Sequence, residues 1–297
     1  MARPLLAVLA LMFVAFAARN LVRRWDGTSL RVSALPVAAC WVPLVAGTLA
    51  LALSWRWLVT RMAGTRPATL PAMALHLESQ MARYMPGKVG VPVIRMAGAP
   101  QLGVSARAVG ASVMVETLSL MAVGATFSFA LLAITSDRSE GVIAMLGRGA
   151  IPMTVLGALG TLGLVVVDRR FFPRALMRAL KTEGKGPLVP PALPLVHLCY
   201  WLLWAVHGYV VSRAVGASHA DAIASAGLYS LAPVVGFIVL VAPAGIGVRE
   251  ALLSFGLAPA VGPAGALTAA LISRTASLLA DVGTWICFRR LAGRPPS

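Results

Sequence analysis

Residues 222–248 read AIASAGLYSLAPVVGFIVLVAPAGIGV, a stretch without a single Asp, Glu, Lys or Arg. About 20 mostly apolar residues are enough to cross the hydrocarbon core of a bilayer, so this stretch belongs in lipid and not in water. The same test selects 34–55, 149–167, 192–212 and 251–273, all free of those four residue types, and 108–134, whose one charge is Glu116. A shorter apolar run, Pro4 to Ala18, leads into Arg19, Asn20, Arg23 and Arg24. A signal peptide ends in a small-residue cleavage site, whereas this run leads straight into those basic residues, so it reads as an anchor. Continuous apolar runs do not alternate as barrel strands do, and an open chain satisfies its backbone in lipid only as helix. The expected fold class is all-α: a polytopic integral membrane protein of about 6–8 transmembrane helices.

Composition agrees. The 297 residues are 59% hydrophobic and 12% charged, whereas soluble domains carry about 25% charged residues. The formal net charge of +16 would suit nucleic acid, but the basic residues sit between the apolar runs, at 19–31, 56–107, 169–185 and 289–294. That placement fits juxtamembrane loops meeting anionic lipid headgroups. Cys40, Cys199 and Cys287 lie inside apolar runs without metal-ligand spacing and read as small core hydrophobes. His197 and His207, on an aromatic-rich segment with Tyr200, Trp201 and Trp204, read as belt or core residues, not as a metal site. Trp55 and Trp57 around Arg56 read as an interface anchor. No phosphate loop, dinucleotide fingerprint, zinc signature or nucleophile elbow occurs, so no cofactor, metal or enzyme activity is expected.

No linker separates a soluble domain, and 1–297 reads as a single membrane domain. The stretch 168–191, basic and ending in Pro187, Pro190 and Pro191, reads as a cytoplasmic connector between pseudo-repeated halves at about 1–167 and 192–297. Charge balance then puts loops 135–148 and 213–221 outside and the basic 55–107 segment inside, its amphipathic middle entering and leaving by one face. Whether 243–262 crosses or folds back stays open at this level.

Two runs interrupt the hydrophobic pattern alike: Pro86-Gly87-Lys88-Val89-Gly90-Val91 and Pro243-Ala244-Gly245-Ile246-Gly247-Val248. Pro removes a backbone donor and Gly relaxes the chain, so both break a helix. Paired interruptions in two halves point to a transporter site built from broken or re-entrant segments; simple interfacial turns give the same pattern. Intramembrane charges form the second constellation: Glu116, Arg249, Glu250, Arg274 and Asp281. Each costs about 2.5–3.5 kcal/mol even on lenient insertion scales, so each needs a function or a partner. Arg274 and Asp281, two helical turns apart, share a face and could pair. Superposing the two runs sets Glu116 opposite Ser273, beside Arg274. Arg83, Lys88 and Arg95 are candidates for a lipid phosphate, or else snorkel to the cytoplasmic surface.

Arg83-Tyr84-Met85-Pro86-Gly87-Lys88-Val89 with Arg95, then Glu116, then Ala242-Pro243-Ala244-Gly245-Ile246-Gly247-Val248-Arg249-Glu250-Ala251 with Arg274 and Asp281 resemble a known family. It is the flippase-like family built on the transmembrane region of bacterial lysylphosphatidylglycerol synthases, over roughly residues 5–290. The resemblance implies a lipid flippase or its accessory. The soluble aminoacyltransferase domain of the full synthases has no counterpart here, so synthesis of the lipid by this chain alone is not expected. Ala244 stands where the family commonly has a second glycine.

The leading expectation is a protein of the cell inner membrane that binds an anionic phospholipid or polyprenyl-linked lipid between its halves and helps it cross. Arg83, Lys88 and Arg249 would attract phosphate; Glu116, Glu250 and Asp281 would balance charge or take a substrate amine; Pro86, Gly87, Pro243, Gly245 and Gly247 would let backbone approach. The alternative is a non-transporting scaffold whose partner is a membrane enzyme, such as a glycosyltransferase. Nucleic acid is not an expected partner.

Overall fold

The computed structural model describes residues 32–84, 89–135, 141–166, 189–239, 245 and 247–292. Within these the chain forms ten α-helices: α1 Ala34–Ala39, α2 Trp41–Ala63, α3 Thr69–Met81, α4 Gly90–Ala97, α5 Ala106–Thr135, α6 Gly141–Arg148, α7 Ala150–Val166, α8 Ala192–Ala214, α9 His219–Ile238 and α10 Val248–Leu291. Short 3₁₀ turns at Ala82–Tyr84 and Ala99–Leu102 flank α4. Five segments are long and apolar enough to cross a membrane: Ala34–Ala63, Ala106–Thr135, Ala192–Ala214, His219–Ile238 and Val248–Leu291. The six to eight expected spans are thus not reached among the described residues. The 4–18 run lies outside them, and the 149–167 run appears as the shorter α7.

The central helix is α9, packed on α5, α8 and α10. Its sequence is rich in Ala, Gly and Ser, which lets neighbouring backbones approach where water supplies no hydrophobic drive. A Cβ added to Gly208 of α8 would enter the Tyr229 ring of α9, and one added to Gly124 of α5 would enter the Trp201 indole of α8. Tyr200, Trp201 and Trp204 fill the resulting core together with Leu228, Leu231, Leu253 and Leu257. His197 and His207 are fully buried in it. His197 Nδ1 lies 3.0 Å from Ser119 Oγ, and His207 bridges the Cys40 carbonyl and Ser273 Oγ, each at 2.9 Å.

Two elements depart from uniform spans. The first is α3 with α4, about 20 and 12 Å long at 1.5 Å per residue, both short of the roughly 30 Å core. They run antiparallel: Gly90 abuts Ala82 at one end, and Gly98 abuts Leu75 at the other. The hairpin enters the bundle between α2, α5 and α10.

The second departure is inside α10, where Gly262 breaks the helix at φ 72°, ψ 164°. That conformation is essentially confined to glycine, and Pro263 then starts the second segment with its preset φ. The charge-free run 251–273 is therefore not one span. A half-helix of about 21 Å, Val248 to Val261, is followed by a separate long segment to Leu291. Gly262→Ala is expected to cost about 1–3 kcal/mol, read as a lower unfolding midpoint in detergent; an unchanged midpoint would show that the break is not enforced.

Three expectations need correction. Trp55 is no interface anchor: it is fully buried, and its Nε1 donates to Ser112 Oγ at 3.0 Å. It lies on the inner side of α2 because the hairpin covers that side. Of the cysteines only Cys40 is in the core; Cys199 and Cys287 are exposed on the bundle's outside, where lipid accepts a thiol as readily as a core does. The expected loop 135–148 holds helix α6 from Gly141.

Candidate functional site

The α3–α4 hairpin positions a polar group of side chains in the interior. Positions 76, 79, 80 and 83 fall on one side of α3 and the turn after it, following the i, i+3, i+4, i+7 rule. Ser79 thus meets α4, His76 meets α5, and Arg83 reaches α10, with Gln80 between His76 and Arg83. From α4, Arg95 is 1% exposed. Its Nε donates to Ser79 Oγ at 2.8 Å, its Nη1 donates to Glu116 Oε2 of α5, and its guanidinium stacks 4.7 Å from the Trp55 ring. Arg95 therefore does not snorkel; a carboxylate, a hydroxyl and an aromatic face hold it inside.

Arg83 Nη2 donates to Gln80 Oε1, and Arg83 Nη1 faces Asp281 Oδ2 of α10 at 3.5 Å. At the start of α10, Glu250 reaches back so that Oε2 accepts from Gly247 N at 2.6 Å, closing the helix start. Its other oxygen lies 3.7 Å from Arg274 Nε. Arg274 and Asp281 are thus not a pair with each other: each is matched to a residue brought from another segment. Arg249 is buried with its guanidinium 5.1 Å over Trp204. Gly245, at φ 70°, packs so tightly on Gly236 that a Cβ would stand 2.8 Å from the Gly236 Cα. Gly247, at φ 84°, serves as the cap of α10. Pro86, Gly87, Lys88, Pro243, Ala244 and Ile246 lie outside the described residues.

Four of the expected residues line one cavity of about 560 Å³: Arg83, Arg95, Glu116 and Arg249. Gln80, Tyr200, Trp201, Pro233 and Gly236 complete its inner wall. The remaining wall is apolar and includes Met96, Met114, Leu118 and Phe237, which are also exposed on the bundle's outer surface. The cavity is amphipathic: guanidinium groups inside, hydrocarbon-facing side chains at the mouth between α4, α5 and α9. Glu250, Arg274, Gly245 and Gly247 are not in its wall; they shape the segment that carries Arg249. Asp281 is not in its wall either and is matched to Arg83, which is.

Sequence reading missed His76, Trp55, Trp204 and Gly236. A polar stripe at 76, 79, 80 and 83 along one side of α3 and its following turn was the available signal for the first. The tryptophans offered none, because only packing distinguishes a stacked indole from a membrane-interface one.

The family model described as lysylphosphatidylglycerol synthase TM region matches residues 2–282. No curated protein matches the chain significantly. With nearly the whole chain covered and apolar helices long enough to cross a membrane, this multi-pass membrane protein belongs to the lysylphosphatidylglycerol synthase transmembrane-region family, a family related to lipid metabolism.

Proposed function

We propose that the cavity receives the phosphate-bearing headgroup of an anionic phospholipid or polyprenyl-linked lipid, and that the protein carries it between leaflets of the cell inner membrane without covalent chemistry. The observation that supports this most is the cavity's division. Arg83, Arg95 and Arg249 all contribute to its wall, while Met114, Leu118 and Phe237, also in that wall, are exposed on the outer surface. Guanidinium groups bind phosphate strongly in a dehydrated site. The apolar mouth lets acyl chains stay in lipid while the headgroup turns inward, and 560 Å³ lies within the roughly 300–1,000 Å³ of small-ligand sites.

Two related halves supply the moving parts in this reading. Gly90 and Gly247 each precede or begin a short helix, and Ala106 and Pro263 each begin the long helix after it; both pairs are 157 residues apart (90 to 247, 106 to 263). In each half an ion pair ties short helix to long helix: the buried Arg95 to Glu116, and the partly exposed Glu250 to Arg274 with acid and base exchanged. In each, too, an arginine stacks on a tryptophan, Arg95 on Trp55 and Arg249 on Trp204. The Arg83–Asp281 pair joins the halves. Broken helices of this kind in corresponding places are the usual setting of a midplane substrate site.

Vesicles reconstituted with the protein, carrying headgroup-labelled phosphatidylglycerol or phosphatidylcholine, test the proposal. The anionic lipid is expected to cross faster than in protein-free vesicles and faster than the neutral one. Equal rates with and without protein would reject transport; a stable complex with a membrane glycosyltransferase under the same conditions would instead match a scaffold.

A further inference from the structure

Beside Arg95, two shielded polar atoms face each other without a hydrogen bond. Glu116 Oε2 accepts from Arg95, whereas Glu116 Oε1 and His76 Nδ1 are both buried and make no hydrogen bond among the described residues. They stand 3.7 Å apart, beyond hydrogen-bonding distance. The neighbouring amide fixes the ring's tautomer. Gln80 Oε1 is engaged by Arg83 Nη2, so the Gln80 amide nitrogen, 3.2 Å from His76 Nε2, is the donor to that ring nitrogen. A neutral imidazole that accepts at Nε2 holds its proton at Nδ1, on the side of the carboxylate.

Building on the headgroup reading, we infer that Glu116, faced by His76, is a proton-binding site linked to the cavity, and that a proton taken up on Glu116 Oε1 releases Arg95 to the lipid phosphate. Charge balance is the reason. A phosphodiester entering alone adds a negative charge beside a buried carboxylate; entering with one proton it adds none, which suits a poorly solvated interior. Once Glu116 is neutral, Ser79 Oγ and the Trp55 face still hold Arg95 in place, and the phosphate becomes its anionic partner. His76 is the poorer acceptor of that proton. Protonation at Nε2 would set it against the Gln80 amide, which can turn only by giving up Arg83.

The groups around Glu116 are consistent with this assignment. Arg95 comes from α4, His76 and Arg83 from α3 and its following turn, Tyr200 and His197 from α8, and Arg249 from α10 across the cavity. Arg56 of α2 is turned to the Pro67 carbonyl, and Asp281 is matched to Arg83. Glu78 lies about 200° around α3 from His76 by helical phase. Arg107, Arg148 and His219 are exposed near helix ends, and Asp221 sits with His219 at the start of α9. None of these supplies a second carboxylate next to Arg95.

Titration calorimetry on the full chain in detergent, with dihexanoyl-phosphatidylglycerol in buffers of different ionisation enthalpy, tests the link. The expected result is uptake of about one proton per lipid bound, with affinity falling about tenfold per pH unit above the site's own titration. Glu116→Gln, which mimics the protonated carboxyl, is expected to bind at high pH as tightly as the wild type at low pH and to take up no proton. The wild-type buffer comparison stands even if that variant misfolds. Binding without proton uptake overturns the coupling and leaves the headgroup site intact. Undiminished uptake by Glu116→Gln overturns the assignment to Glu116, and no binding at any pH overturns both readings.

Discussion

Arg95→Ala is expected to destabilise the protein by about 3–5 kcal/mol, because it strands the Glu116 carboxylate in a buried site without its cation. The measurement is the unfolding midpoint on titrating folded protein in mild detergent with a denaturing one. Removing both charges, Arg95→Met with Glu116→Leu, is expected to be far milder, since a well-packed apolar pair often replaces a buried ion pair at little or no loss. The difference between single and double variants measures the coupling. A loss below about 1 kcal/mol for Arg95→Ala, the range of an exposed pair, would show that water reaches the pair and that the hairpin is not seated as described.

The second large effect falls on binding. Arg249→Ala is expected to weaken dihexanoyl-phosphatidylglycerol affinity by about 10- to 100-fold, the equivalent of one charge-assisted contact worth about 1.5–3 kcal/mol. The start of α10 should survive, because its cap is made by Glu250 and the Gly247 amide and not by the Arg249 side chain. Arg249→Lys is expected to fall between the two: it keeps the charge but loses the planar stack on Trp204. Wild-type affinity in Arg249→Ala, with the fold intact, would remove this arginine from the site.

Much of this architecture could be read from residue order. The apolar runs at 108–134, 192–212 and 222–248 locate α5, α8 and α9 to within a few residues at most ends, because lipid forces every long apolar stretch into helix. The Pro-Gly runs marked where the short helices begin, since such residues cannot continue a helix. Less legible was the break at Gly262. The run 251–273 carries no charge, and whether 243–262 crosses or folds back stayed open from residue order alone. Pairing among the charges was not legible at all. Spacing put Arg274 and Asp281 on one face, yet each found its partner on another segment, Arg274 in Glu250 before the Gly262 break and Asp281 in Arg83 after α3. Partner choice depends on which helices lie adjacent, and helical phase alone does not contain that. Trp55 shows the same limit: beside Arg56 it had the sequence of an interface residue, and only the α3–α4 hairpin closing over α2 makes it a platform for Arg95.

An experimental structure in nanodiscs containing phosphatidylglycerol is the most direct test of the central claim. The account predicts phosphate density in the 560 Å³ cavity within hydrogen-bonding distance of Arg249 and Arg95, with acyl chains leaving past Met114, Leu118 and Phe237. A cavity free of lipid, its arginines engaged only by Glu116 and Asp281 and its mouth closed by side chains, would contradict it.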